Sequence, residues 1–566
     1  MLAKVSETTM HRIRWGLTTG WGLLIASLFY DPVSSWVTHP NRLNSPLRID
    51  PSRCVELQGQ CMKEVPYALG TTFFWGIVIP SAIFILLVFG HETWRRICPL
   101  SFLSQLPRAL GWQRRRVSTR NGIVRHAVPT ISKNSWLGRN HTSLQFGLLF
   151  IGLCSRILIF SAHRVALGVF LIATIGAAIA VGFLYDGKSW CHYFCPMAPV
   201  QAIFAEPRGL VNSAAHIDRP ASPITQSMCR TVVNSQEQSA CVACQSPCID
   251  IDAERTYWAS IRQPQQRWVR YGYVGLVLGY FCYYYLYSGS WDYFQSGMWT
   301  HDDTLMLNLL GPGFYLFEQP IAIPKLAAVP LTLGLFTLGS YGLGCLLEKR
   351  YKVYQRRRSR PAGIDLIRHR MFTLCTFIAF NLFLVLTGAS GLIRQLPAPL
   401  PTVYIILIVM VSSFWLRQTW GRSLHRYRRE KFAHSLRRQL ATLNFDAAKA
   451  LEGRSLTDLN ADEVYVLARV VPQLYAQRQQ IYQSVLKEAL TFGAVTPAMS
   501  RSYFLSLRQE LELSTSDHNK ALTALCKQHP KLLLTSHRDG WRPPVSTAVL
   551  GPRVSNSAEL DGQVKP

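Results

Sequence analysis

Six cysteines fall between residues 191 and 248, at spacings suited to ligands of a soft metal. The stretch DGKSWCHYFCPMAPVQ supplies Cys191 and Cys195, the latter followed by Pro196. Cys229 comes next, and CVACQSPC adds Cys241, Cys244 and Cys248. Thiolates two and three residues apart can turn onto one centre, either an iron–sulfur cluster or a tetrahedral zinc ion. Disulfides are the poorer account, because charge places this loop in a reducing compartment.

The elements that must position these thiols are membrane helices. Nearly half of the residues are hydrophobic (49%), yet the formal net charge is +28. The charge lies between long apolar runs rather than along one face. Eight runs reach or approach spanning length, near 15–30, 67–90, 143–160, 165–185, 268–288, 325–346, 371–389 and 399–416. Pro80 and Pro330 fall inside two of them, which lipid-embedded helices tolerate when neighbours satisfy the freed carbonyls. The first run is not followed by a small-residue cleavage site, so it reads as a helix and not as a removable signal.

Basic residues crowd alternate loops. Residues 91–142 carry ten lysines and arginines, from Arg95 to Arg139, against Glu92 alone, whereas 289–324 carry none. The positive-inside rule therefore puts 91–142, 186–267, 347–370 and both termini in the cytoplasm. It puts 31–66, 289–324 and 390–398 outside. Basic loops beside anionic lipid explain the charge, and no nucleic-acid-reading module accompanies it.

Two features favour iron–sulfur over zinc. Cys195-Pro196 mirrors the end of the bacterial ferredoxin run, and the cysteines emerge directly from a span. The expected assignment is one [4Fe-4S] cluster on Cys229, Cys241, Cys244 and Cys248. A second is possible on Cys191, Cys195 and Cys98, whose fourth ligand is not identified, with His192 and His91 nearby. CVACQSPC lacks a full ferredoxin motif, since Pro247 stands where another cysteine would be needed.

The remaining cysteines read differently. Cys154, Cys282, Cys345 and Cys375 lie singly in spans and behave as small hydrophobes, as does Cys526 in the tail. Cys54 and Cys61 share an outer loop and read as a disulfide. No haem-attachment run, dinucleotide fingerprint, phosphate loop or His-Glu-x-x-His occurs. The aromatic stretch YFCYYYLYSGSWDYF, around 280–294, reads as an interfacial belt. Asp302 and Asp303 beside His301 read as a solvated loop.

This pattern resembles the membrane polyferredoxins of the NapH/NosR/CcoG type, best over 67–260. WCHYFCPMAPVQ matches their membrane-adjacent element, and ETWRRICPLSFLSQL looks like a degenerate copy in which Trp94 replaces the first cysteine and Cys98-Pro99 is kept. The resemblance implies either electron transfer between redox donor and acceptor proteins or quinone, or a role in metal reduction and maturation.

The expected fold is an all-α polytopic membrane protein of about eight transmembrane helices, with a cysteine-rich, ferredoxin-like cytoplasmic loop and a helical soluble C-terminal region. The expected divisions are 1–185 (four spans), 186–267 (the iron–sulfur loop), 268–425 (four spans), 426–535 (a helical module) and 536–566 (disordered). The expected function is that of an inner-membrane electron carrier with one or two [4Fe-4S] clusters, in contact with lipid and not with nucleic acid. The alternative is a membrane scaffold or sensor with a structural zinc–cysteine site and a helical docking tail.

Overall fold

An α-helix of about twenty apolar residues crosses a hydrocarbon layer of about 30 Å. In the computed structural model six helices among the described residues meet that condition: Gly70–Leu103, Trp136–Phe160, Arg164–Leu184, Lys325–Arg357, Ile364–Gly388 and Leu400–Trp420. The chain is thus predominantly helical and built as a multi-pass membrane protein. The structure describes residues 7–528 apart from 212–229, 442–453 and 492–503, shorter stretches (121–122, 234–235, 240–243, 246–247, 359–362, 389–390 and 471–474) and single positions. Cys229, Cys241 and the tail expected at 536–566 lie outside the described residues.

Two more expected spans are helical, Glu7–Phe29 and Pro264–Ser288. The second is less apolar and largely buried, although Leu278 and Tyr285 are exposed. Tyr271, Tyr273, Leu276, Tyr280, Tyr283 and Tyr284 are all buried along it. Its backbone runs tight against Lys325–Arg357: a Cβ on Gly275 would lie 2.0 Å from the Phe336 carbonyl oxygen. Small residues permit such approach between membrane helices. The expected aromatic belt at 280–294 is therefore largely core. Tyr293 and Phe294, in the short helix that follows, are also buried.

The helix Gly70–Leu103 is interrupted three times, at Phe74–Val78, Gly90 and Cys98, each time for a legible reason. Pro80 cannot donate to the preceding turn, and a five-residue π-turn, Phe74–Val78, lies just before it. Gly90 then adopts φ +73°, ψ −176°, a conformation open essentially to glycine alone. The break frees carbonyls, and the backbone of 210–211 satisfies them. Leu210 N–H donates to Leu87 O at 2.9 Å and Val211 N–H to Val88 O at 2.7 Å. This is how non-helical backbone persists at membrane depth.

Among the described residues four two-stranded antiparallel hairpins decorate the helices. One pairs β1 (Cys54–Leu57) with β2 (Gln60–Lys63) through a Gln58-Gly59 turn with both φ positive, the usual two-residue hairpin connection. Cys54 and Cys61 are disulfide-bonded across it. Cys154, Cys282, Cys345 and Cys375 are free thiols.

The chain divides into two compact units, Met1–Tyr427 and Arg428–Pro566. The second has its own apolar core, including Phe432, Leu436, Val464, Ile481, Val485, Leu507 and Leu525. Its helix Ala461–Val470 starts at a reciprocal cap. Glu463 N–H donates to Asn460 Oδ1 at 2.9 Å, and Asn460 N–H donates to Glu463 Oε2 at 2.7 Å. The helical module expected at 426–535 falls in this unit, whose described helices include Ala461–Val470, Tyr475–Thr491 and Thr515–Gln528.

Candidate metal centre

Three chain segments converge on a cavity of about 110 Å³ in the first unit. The first is the end of Gly70–Leu103, where the Gly90 break aims His91 inward. Cys98 terminates the same helix with extended backbone (ψ 116°), as a residue preceding proline prefers. The second is the π-turn Trp190–Phe194, which carries Cys191 and His192 and ends at Cys195 in nearly the same conformation (ψ 119°), again before a proline. The third brings Gln245, Ile249 and Asp250 to the cavity. Cys98, Cys191, Cys195, His91, His192 and Asp250 all line the cavity.

Asp250 organises the meeting. Its carboxylate is almost completely buried, and a buried charge must be paired. Oδ1 lies 2.8 Å from His91 Nε2, while Oδ2 lies 3.5 Å from Lys188 Nζ and 3.6 Å from His192 Nε2. Burial alone would raise this carboxyl, but Lys188, His91 and His192 hold it well below the ordinary carboxylate range. Burial pushes His192 down to about 4, which leaves the ring neutral, the form that ligates metals. Its Nε2 is buried without a hydrogen-bond partner.

The ligand atoms of His192, Cys248 and Asp250 all lie within 4.8 Å of one another. Among the described residues this is the group placed to hold a metal ion, with one nitrogen, one sulfur and one oxygen donor. It overturns the expected [4Fe-4S] cofactor and with it the iron–sulfur electron-transfer reading. A four-thiolate cluster on Cys229, Cys241, Cys244 and Cys248 would need Cys248 among other cysteines. Instead Cys248 shares its donor group with a histidine and a carboxylate. The physical reason is Asp250: satisfying its buried charge draws the segment 248–252 onto Lys188 and His192.

The other proposed ligands have definite places. Cys244 is buried, and its carbonyl accepts from the Tyr193 hydroxyl at 2.9 Å. Cys98, Cys191 and Cys195 border the same cavity. Burial raises the Cys191 thiol, and burial together with Cys191 and Cys98 raises Cys195 well above the ordinary range. Cys229 and Cys241 are not among the described residues. Asp250 and Lys188 were missed by sequence reasoning, although a carboxylate two residues after Cys248 was a usable signal.

Beyond the cavity the same segment is anchored again. Asp252 caps the helix Ala253–Ser260 by accepting from Arg255 N–H at 2.9 Å, and its other oxygen accepts from the Tyr427 hydroxyl at 2.6 Å. Glu254, fully enclosed, accepts from Arg422 Nε at 2.9 Å and from Trp258 Nε1 at 3.2 Å, and is paired with Arg208.

Comparison with family models, with curated proteins and with solved structures found no match.

Proposed function

We propose that this protein is a multi-pass membrane scaffold or sensor that holds a structural metal ion, zinc by its donor chemistry, on His192, Cys248 and Asp250, and presents its helical C-terminal unit for docking. The convergence of those three donor atoms, with His192 and Asp250 buried and Cys248 half-buried, carries the reading. Imidazole nitrogen, thiolate sulfur and carboxylate oxygen are all zinc donors, and a closed structural site takes a fourth ligand to complete the tetrahedron. The residues present fit: His192 is neutral, Asp250 is ionised, and Cys248 would release its proton on binding. Lys188 supplies positive charge beside Asp250 that a bound cation would partly replace.

The sensor aspect rests on Asp252 and Glu254. They follow the ligands by two and four residues from Asp250, and are tied to Tyr427 and Arg422 just before the second unit begins. Any shift of 248–250 on metal binding is thereby passed to the peptide that leads into the docking module. In the same reading the chain crosses an inner membrane eight times, counting Glu7–Phe29 and Pro264–Ser288, with both termini and the metal loop on the basic, cytoplasmic side. The likeness to membrane polyferredoxins is then one of helices and Cys-Pro helix ends.

Metal analysis of the purified full chain tests the proposal. The expected result is about one zinc per chain and no acid-labile sulfide, with zinc lost in Cys248→Ser. Iron with stoichiometric sulfide, or zinc retained in that variant, would sink it.

A further inference from the structure

Arg156 sits 5% exposed near the end of the helix Trp136–Phe160, where the last five residues form a π-turn. Its guanidinium carbon lies 3.9 Å from the Trp75 ring centroid, 4.7 Å from Tyr280 and 5.4 Å from Trp299. Among the described residues no carboxylate and no hydrogen-bond acceptor reaches it, and Nε is fully buried without a partner. Two other buried arginines of this unit are paired with carboxylates. Arg270 has Glu206, and Arg422 has Glu254.

An ionised group inside a membrane bundle is costly and marks a functional site by default. Aromatic faces offset part of that cost. The guanidinium that these rings surround is a planar N–H fork that matches carboxylate and phosphate oxygens. Hydroxyls extend the donor set beside it: Tyr280 Oη is 3.2 Å from Tyr284 Oη, which is 3.4 Å from Ser161 Oγ. The site is separate from the metal cavity. His141, on the same helix, lines that cavity fifteen residues earlier, roughly 20 Å away at 1.5 Å per residue.

We propose that Arg156, framed by Trp75, Tyr280 and Trp299, is the binding site for an oxyanion, a phosphate group carried by an anionic lipid headgroup or free in solution. The inference does not depend on the metal site.

The test uses the full chain in neutral detergent, stripped of lipid, with two probes: phosphatidylglycerol in mixed micelles and inorganic phosphate. Binding is read by native mass spectrometry for the lipid and by calorimetry for phosphate. Wild type is expected to bind one of them at a single site, and Arg156→Gln to bind it about tenfold to a hundredfold more weakly, the loss expected for charge-assisted hydrogen bonds. Retention of phosphatidylglycerol alone assigns a lipid headgroup; calorimetric binding of phosphate assigns a soluble anion. Should Arg156→Gln fail to assemble, Arg156→Lys and Tyr284→Phe take its place. The first keeps the charge without the fork and the second removes a donor, so each should weaken binding severalfold. No binding of either probe by wild type, or equal binding by assembled variants, overturns the proposal.

Discussion

His91 Nε2 lies 2.8 Å from Asp250 Oδ1 across 159 positions of sequence. This contact joins the residue after the glycine break of a membrane helix to the loop that bears the metal donors. The break is thus a means of delivering a histidine to the site, and the carboxylate is the point on which helix, π-turn and loop close.

The Asp250 charge should therefore matter more to folding than any single thiol. Asp250→Asn leaves the Lys188 ammonium buried without its carboxylate, and breaking one side of a buried ion pair costs about 3–5 kcal/mol. The variant should unfold at markedly lower temperature than Cys248→Ser, even without metal. Adding Lys188→Met to Asp250→Asn should recover part of the loss. If the double variant is no more stable than Asp250→Asn, the ion pair is not what holds the loop.

Gly90 makes a second, purely steric prediction. Its φ of +73° strains any other residue, and a Cβ would lie 3.0 Å from Gly209 N. Gly90→Ala should cost about 1–3 kcal/mol and weaken metal retention, because His91 moves with the break. Gly209→Ala should be worse, since its Cβ would come within 2.4 Å of Gly90 N. Thermal unfolding with zinc analysis of both variants checks the order.

These two sites show what was legible in the sequence. Apolar length revealed the six helices, and the structure puts both Cys-Pro dipeptides, at Cys98 and Cys195, where helical turns end. Tyrosine misled: its ring is amphipathic, so a tyrosine-rich run reads equally as an interfacial belt or as the core that Tyr280, Tyr283 and Tyr284 form. Cysteine spacing misled more seriously. Local spacing reports which thiols are neighbours along the chain and places Asp250 two residues from Cys248, but it does not show that His192 joins them from more than fifty positions away.

The pH dependence of stability should carry the mark of His301. This ring stacks on Tyr67 at 3.6 Å, and burial lowers its pKa from 6.5 to about 3. Between those values the unfolded chain binds a proton that the folded chain refuses, so stability falls as pH falls through 6.5 toward 3. The slope is at most about 1.4 kcal/mol per pH unit, or roughly 2 kcal/mol between pH 6.5 and 5. His301→Gln should flatten this part of the profile. Denaturant unfolding of both proteins at pH 7 and pH 5 checks it, and identical pH responses would remove His301 as the cause.

The link from metal to docking unit can be followed by hydrogen exchange. Asp252 accepts from the Tyr427 hydroxyl at 2.6 Å, and Glu254 accepts from Arg422 Nε at 2.9 Å, so 248–260 and 422–427 are joined by buried polar contacts. Zinc added to the stripped full chain should slow exchange in both segments, since ordering the ligand-bearing loop also orders what is bonded to it. Tyr427→Phe removes one contact and leaves Asp252 with an oxygen to resatisfy, a loss of about 1–3 kcal/mol. In that variant zinc should still protect 248–260 but protect 422–427 much less. Full protection of 422–427 in Tyr427→Phe would show that the signal travels elsewhere. No protection there in wild type would reduce the protein to a scaffold whose metal is structural only.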